Sequence, residues 1–280
     1  MEEKKDPHGG GVIGSGERVV KTGSSGSGNG ILLEGRNVTL RFGGIEALNG
    51  LSFTIRPREI VSVIGPNGAG KTTLLNTITG LHIPDRGEIF FRGEVISGLR
   101  AHQIAGLGIS RTFQQTQLFS NLTVAENIMV GMHPRTNAGF LGGILHLPAE
   151  RREEQKIRDK AENLLNSFGL LARADWMASH IAIAEQRRLE IARALAGEPE
   201  VLLLDEPAAG LNIRETESMG DLIVGLREKG QTVLLVEHNM HLVMGISDWV
   251  VVLHHGSKIG EGRAEDVQKD RRVVDAYLGT

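Results

Sequence analysis

Val61–Thr73 reads VSVIGPNGAGKTT, an apolar run that passes through a glycine-rich loop into a helix-forming stretch. Gly65, Gly70, Lys71 and Thr72 fill the pattern G-x-x-x-x-G-K-[ST], in which each residue type has a task. Gly65, Gly68 and Gly70 let the backbone curl until its N–H groups converge on phosphate oxygens. Pro66, Asn67 and Ala69 complete the loop, and the helix opening through Lys71, Thr72 and Thr73 turns its partially positive end toward the same anion. Lys71 reaches the β- and γ-phosphates as a point charge, and the Thr72 hydroxyl is placed to ligate Mg²⁺. A flexible glycine turn is the plainer alternative. The strand before the loop and the helix after it favour a nucleoside triphosphate site.

The remaining composition narrows the class. At 280 residues the chain can bury a substantial core. It has no cysteine, which excludes disulfides, zinc–thiolate sites and thiol chemistry. Lysine and arginine number 31 against 34 acidic residues, so no nucleic-acid partner is expected. No apolar run approaches the ~18 residues that span a bilayer, and the N-terminus lacks the apolar region of a secretory signal. Work at a membrane would require some other anchor.

Residues 1–30, rich in glycine, serine and charge, read as a disordered tail. From Ile31, ILLEGRNVTLRF, ALNGLSFTI and Glu88–Phe91 predict an antiparallel sheet beside the phosphate loop. The helix from Lys71 should end around Gly80. A second helix is expected from Pro148, with Ile157, Ala161, Leu164, Leu165 and Phe168 on one face and Gly169 as its stop. Its ERREEQKIRDK stretch, with Glu154 and Arg158 spaced for an ion pair, reads as a solvated face. EVLLLDEP and TVLLVEH are continuous apolar runs of the kind found in parallel strands buried on both faces. Strands alternating with helices predict an α/β fold.

The chemistry gathers where those two strands end. Asp205 and Glu206 place two carboxylates at a sheet edge, where open α/β sheets collect ligand groups. Asp205 is placed to hold Mg²⁺ through water, and Glu206 to orient and polarise the water that attacks the γ-phosphorus. Glu206 as a helix cap is the alternative, weakened because the second strand brings His238 to the same edge, within reach of a γ-phosphate.

GPNGAGKTT, Gln114, QRRLEIARAL, VLLLDEP and VEH, in this order and spacing, resemble an ABC-transporter ATPase over about Ile31–Gly279. The resemblance implies a RecA-like P-loop core, an antiparallel β subdomain and a helical subdomain inserted at about 115–197, all within one cassette over 31–280. It also implies ATP held between two cassettes facing head to tail. Phe42 would stack on adenine, with core packing as its rival role. Gln114 would link Mg²⁺ and the attacking water to the helical subdomain, and His238 would be the switch histidine. GLGISRTFQ, NLTVAEN, EPAAGLN and VEHNMHLVMGISD narrow the likeness to the branched-chain amino acid importers. That implies a peripheral ATPase at the cytoplasmic face of the membrane, with two permeases, a second ATPase subunit and an extracytoplasmic binding protein. Urea, amide and other amino acid importers share much of the pattern. A soluble chromosome-maintenance or translation ATPase would bring a long heptad insertion or a second cassette. A P-loop kinase would leave Gln114 and His238 unexplained.

One segment departs from the family. The signature before QRRLEIARAL is commonly L-S-G-G-Q or L-x-Y-G-Q, whereas this chain has Ile181, Ala182, Ile183, Ala184 and Glu185. Ala182 lacks the serine hydroxyl, a hydrogen bond worth about 1.5–3 kcal/mol when the acceptor is charged. Ala184 replaces a glycine, and a left-handed conformation there would cost about 1–2 kcal/mol. Glu185 adds negative charge near the docking triphosphate. The expected outcome is a heterodimer with unequal sites, the weaker one built on this chain's own signature. Arg111, Arg187 and Arg188 read as supports for loops or the signature helix. Phe140, Leu141, Ile144 and Leu145 read as packing within the helical subdomain, His254 and His255 as a hairpin end, and Trp176 and Trp249 as packing residues.

Overall fold

The computed structural model describes residues 30–112, 117–132 and 148–278. The tail up to residue 29, Gln114, the apolar patch at Phe140–Leu145 and the Glu154 side chain lie outside the described residues.

The chain opens with strands β1 (Leu33–Phe42) and β2 (Ile45–Ile55), joined through Gly43 and Gly44. β4 (Arg86–Phe91) and the two-residue β5 (Glu94–Val95) complete an antiparallel sheet in the order β2-β1-β4-β5. Between its halves the chain enters the second sheet through β3 (Ile60–Ile64), followed by helix α1 (Lys71–Ile78). Gly80, at φ 73, ends that excursion where the sequence placed the stop.

The second sheet takes β6 (Ile109–Arg111), β7 (Val201–Asp205), β8 (Thr232–Val236), β9 (Trp249–His254) and β10 (Ser257–Gly262). Its order is β10-β9-β3-β8-β7-β6. All neighbours are parallel except β10, which turns back on β9 through His255 and Gly256. β3, β7 and β8 are buried along their whole length because both faces are covered. Alternate residues serve different cores. Val61, Val63, Val201, Leu203, Leu234 and Val236 point toward the antiparallel sheet, whereas Leu202, Leu204, Val233 and Leu235 point toward the helices on the other side.

Those helices follow α2 (Ala101–Leu107) and β6: α3 (Val124–Met132), α4 (Pro148–Ser167) and α5 (Ile183–Ala196) precede β7, and α6 (Ile213–Glu228) follows it. α4 buries Ala161 and Leu165 as its periodicity requires, and Phe168 just past its end is buried with them. Gly169 at φ 68 then turns the chain. A third core joins β9 to α7 (Met240–Ile246), α8 (Ala264–Val267) and α9 (Arg271–Leu278). No helix among the described residues is long and apolar enough to cross a membrane. Trp249 is partly buried against the core, but Trp176 is not a packing residue. It stands exposed with the Arg173 guanidinium 4.0 Å from its ring centroid.

Candidate nucleotide-binding site

β3 delivers the chain to the sheet edge, and the loop that follows is shaped by its glycines. Gly65 has φ 154, and a Cβ there would lie 2.2 Å from the Leu253 carbonyl oxygen of β9. Gly70, at φ 102, would place a Cβ 2.5 Å from the Ala47 carbonyl of β2. Gly68 differs: its φ of 80 demands glycine, yet the space above it is open. The loop is therefore clamped at both ends and free at its middle. The Lys71 side chain, 6% exposed, donates from Nζ to the carbonyls of Gly65 (2.7 Å) and Pro66 (3.0 Å), lying across the loop's mouth. Burial lowers its pKa, opposed by the nearby carboxylates of Glu206 and Asp205. Thr72 is exposed and Thr73 half-buried on the first turn of α1.

Asp205 ends β7 and is 1% exposed. Its Oδ2 accepts from Arg111 at 2.9 Å, and Arg111 also donates to Asn76 Oδ1 of α1 at 2.6 Å. Burial drives the Asp205 carboxyl above its usual range, against the lowering pull of Arg111. Its Oδ1 is buried without a hydrogen-bond partner among the described residues. Such an orphaned acceptor beside Lys71 suits the hydration shell of a divalent cation, as does the accessible Thr72 hydroxyl.

Glu206 adopts φ 49, a left-handed conformation before a proline, which costs about 1–2 kcal/mol for a residue with a Cβ. Its N–H donates to the Val236 carbonyl of β8 at 2.8 Å. This lifts the carboxylate to 3.7 Å from Nδ1 of His238, whose side chain is 59% exposed. The two strand ends thus bring Glu206 and His238 together as the sequence predicts. Phe42 is 47% exposed at the end of β1, which rules out core packing as its role. Its ring meets that of His82 edge-on, with centroids 5.1 Å apart.

The 181–185 segment corrects one expectation. Ala184 lies inside α5 in ordinary helical geometry, so its Cβ carries no left-handed strain. Ala182 is the N-cap residue, without a side chain to cap, and Ile183 is exposed beside it. Glu185 is engaged: it accepts from the Ala182 N–H at 3.0 Å and pairs with Arg173 at 3.4 Å. Ile181 is buried. Arg188 bonds Ser218 of α6 and Arg187 pairs with Glu190, so both support the helix. Arg111 supports the site more intimately than expected, through Asp205. His254 and His255 stand at the hairpin end, as read, with ring centroids 4.1 Å apart. Among the described residues no group of three or more His, Cys, Asp or Glu is arranged to hold a metal.

Comparison with known proteins decides the family. The ABC transporter profile matches residues 48–209, more than half of the chain. The chain belongs to the ABC transporter family. A second profile, for branched-chain amino acid ATP-binding cassette transporters, matches residues 257–280. The cassette is 46% identical over 249 residues to the high-affinity branched-chain amino acid transport ATP-binding protein LivG of Salmonella typhimurium, covering 89% of this chain and 98% of that one. It is 45% identical, with the same coverage, to the corresponding protein BraF of Pseudomonas aeruginosa. Among solved structures, the ADP conformation of an ATP-binding cassette of an ABC transporter aligns with a TM-score of 0.78 at 31% identity, covering 89% of this chain and 99% of that one. A dimeric cassette in a post-hydrolysis state with ADP and Pi aligns at 0.70 and 27% identity, covering 83% and 99%. The cassette is thus an ATP-binding ATPase with a RecA-like P-loop core, an antiparallel β sheet and a helical subdomain.

Proposed function

We propose that this ATPase powers import of branched-chain amino acids from the cytoplasmic face of the membrane. Its partners in this reading are two permeases, a second ATPase subunit and an extracytoplasmic binding protein. The observation that carries it is the convergence of a clamped phosphate loop, Asp205 and the Glu206–His238 pair at one sheet edge, in a chain spanning nearly the whole of LivG. Residues 31–280 act as one cassette, with about 115–197 as the helical insertion.

In this mechanism the backbone N–H groups of Gly65–Thr73 hold the phosphates and Lys71 leaves its carbonyl partners to neutralise the β/γ oxygens. Asp205, Thr72 and Gln114 would hold Mg²⁺, which supplies charge neutralisation between the β- and γ-phosphates. Glu206 orients water for in-line attack, His238 contacts the γ-phosphate, and Phe42 offers its exposed ring to adenine. The first turn of α5, exposed at Ala182 and Ile183, would turn its partially positive end toward the partner's ATP.

The test is reconstitution in proteoliposomes with the partner subunits. ATP-dependent uptake of labelled leucine is expected, Glu206→Gln should retain ATP binding while losing turnover and uptake, and Lys71→Ala should lose ATP binding. Uptake of urea or an amide in place of leucine would sink the cargo assignment. Turnover by Glu206→Gln at the wild-type rate would sink the assignment of the base.

A further inference from the structure

Glu237 lies one residue past β8 and is completely buried; no lysine or arginine pairs with its carboxylate among the described residues, and His238 Nδ1 lies 3.9 Å from its Oε2. Burying a carboxylate is costly unless its oxygens are well bonded. Both are. Oε1 accepts the Ala208 N–H at 3.0 Å, from the turn that follows Glu206. Oε2 accepts two N–H groups of its own chain end, from His238 at 2.9 Å and Asn239 at 3.1 Å. One carboxylate therefore ties two loops together across the sheet edge.

The two loops are those that carry Glu206 and His238. The turn after β7 is held by the Glu206 N–H on Val236, by the Ala209 N–H on the Glu206 carbonyl at 3.1 Å and by Ala208 on Glu237. Its two fastenings to the neighbouring chain segment thus come from consecutive residues, Val236 at the end of β8 and Glu237 just past it. The strained φ of Glu206 persists because these bonds over-determine it. On the other side the Glu237 carboxylate curls the backbone of His238 and Asn239, and Asn239 then caps α7 by accepting the Leu242 N–H at 3.1 Å. The 3.7 Å approach of His238 to Glu206 is the product of both halves.

We infer that Glu237 is a positioning residue for ATP hydrolysis. It is a strut that sets Glu206 against His238 and makes the turn Pro207–Gly210 and the histidine loop move as one unit. The inference rests on the proposed roles of Glu206 and His238. It assigns Glu237 no contact with ATP, so its removal should leave nucleotide affinity alone. Every group that Glu237 holds is an N–H donor, so an amide cannot replace it. In Glu237→Gln the amide oxygen can serve one loop, while the –NH₂ faces a donor of the other. Glu237→Asp keeps the charge but is one methylene shorter. It can still hold its own chain end and falls short of Ala208.

The experiment measures steady-state ATPase of the assembled complex, with fluorescent-nucleotide binding and thermal melting of each variant. Wild type and Glu206→Gln run alongside, so that failure of the wild type to hydrolyse ATP, or full activity of Glu206→Gln, reports on the underlying assignment instead. For Glu237→Gln and Glu237→Asp, kcat should fall about ten- to a hundredfold with KM for ATP within about twofold, the pattern of a misplaced catalytic group. Wild-type kcat in a folded Glu237→Gln protein would overturn the inference. So would wild-type kcat in Glu237→Asp, or a loss expressed equally in nucleotide affinity. Should the Gln variant fail to fold, the Asp variant alone decides.

Discussion

Asp205 divides its two oxygens. Arg111 holds Oδ2, while Oδ1 faces the site without a protein partner among the described residues. Both side chains are almost completely buried. Removing one partner of such a pair costs about 3–5 kcal/mol, because the remaining charge is left uncompensated. Arg111→Met should therefore lower the urea-unfolding free energy by about that amount, and Asp205→Asn on the same background should recover part of it. Glu190 of α5 supplies a pH test. Its Oε1 accepts the Gln117 N–H at 2.7 Å and Arg187 pairs with it, yet burial dominates and raises its pKa. The native state then binds more protons than the unfolded chain between the ordinary carboxylate pKa and the raised one, so this group's contribution to stability falls as pH rises through that window. Glu190→Gln should flatten that slope in urea titrations across mildly acidic pH. A slope equal to the wild type's would show that Glu190 is not its source.

At the scale of elements, the phosphate loop separates two uses of glycine. Gly70 lies against the Ala47 carbonyl and Gly68 faces open space. Gly70→Ala must push two backbones apart and should unfold more readily than Gly68→Ala, which carries only the φ penalty of about 1–2 kcal/mol. Melting temperatures rank the two, and Gly68→Ala melting at or below Gly70→Ala would contradict the packing account. Much of this level was readable beforehand. VLLLDEP and TVLLVEH are apolar throughout because both faces are covered, and the loop's glycine spacing encodes its curl. The pairings across the chain were not readable. Arg111 finds Asp205 only because β6 lies beside β7, and Glu237 finds Ala208 only because β8 flanks β7 on its other side. Local sequence holds no trace of which strand is whose neighbour. The strain expected at Ala184 failed for a related reason. A glycine in a motif need not mark a left-handed residue, and here the position is helical.

For the whole molecule, that correction bears on the idea of unequal ATP sites. The penalty at Ala184 reduces to bulk at an approach surface, Glu185 is partly neutralised by Arg173, and Ala182 still lacks a hydroxyl. Ala184→Gly costs about 1 kcal/mol of helix propensity in this chain alone. If the methyl obstructs the partner's triphosphate, turnover of the reconstituted pair should nevertheless rise, or the second ATP bind more tightly. Unchanged turnover and affinity would leave the two sites equivalent at this position.

Gly70 and Gly256 both press against the backbone around Ala47, and the Asn49 N–H donates to the Gly256 carbonyl at 2.9 Å. The antiparallel sheet is therefore riveted to the phosphate loop by close main-chain approach, with the Leu48 side chain packed against Gly70 beside it. If Phe42 takes the base as proposed, base and phosphates share a single anvil, and a stroke driven by ATP is expected in the layer of α3, α4 and α5 on the far side of the parallel sheet.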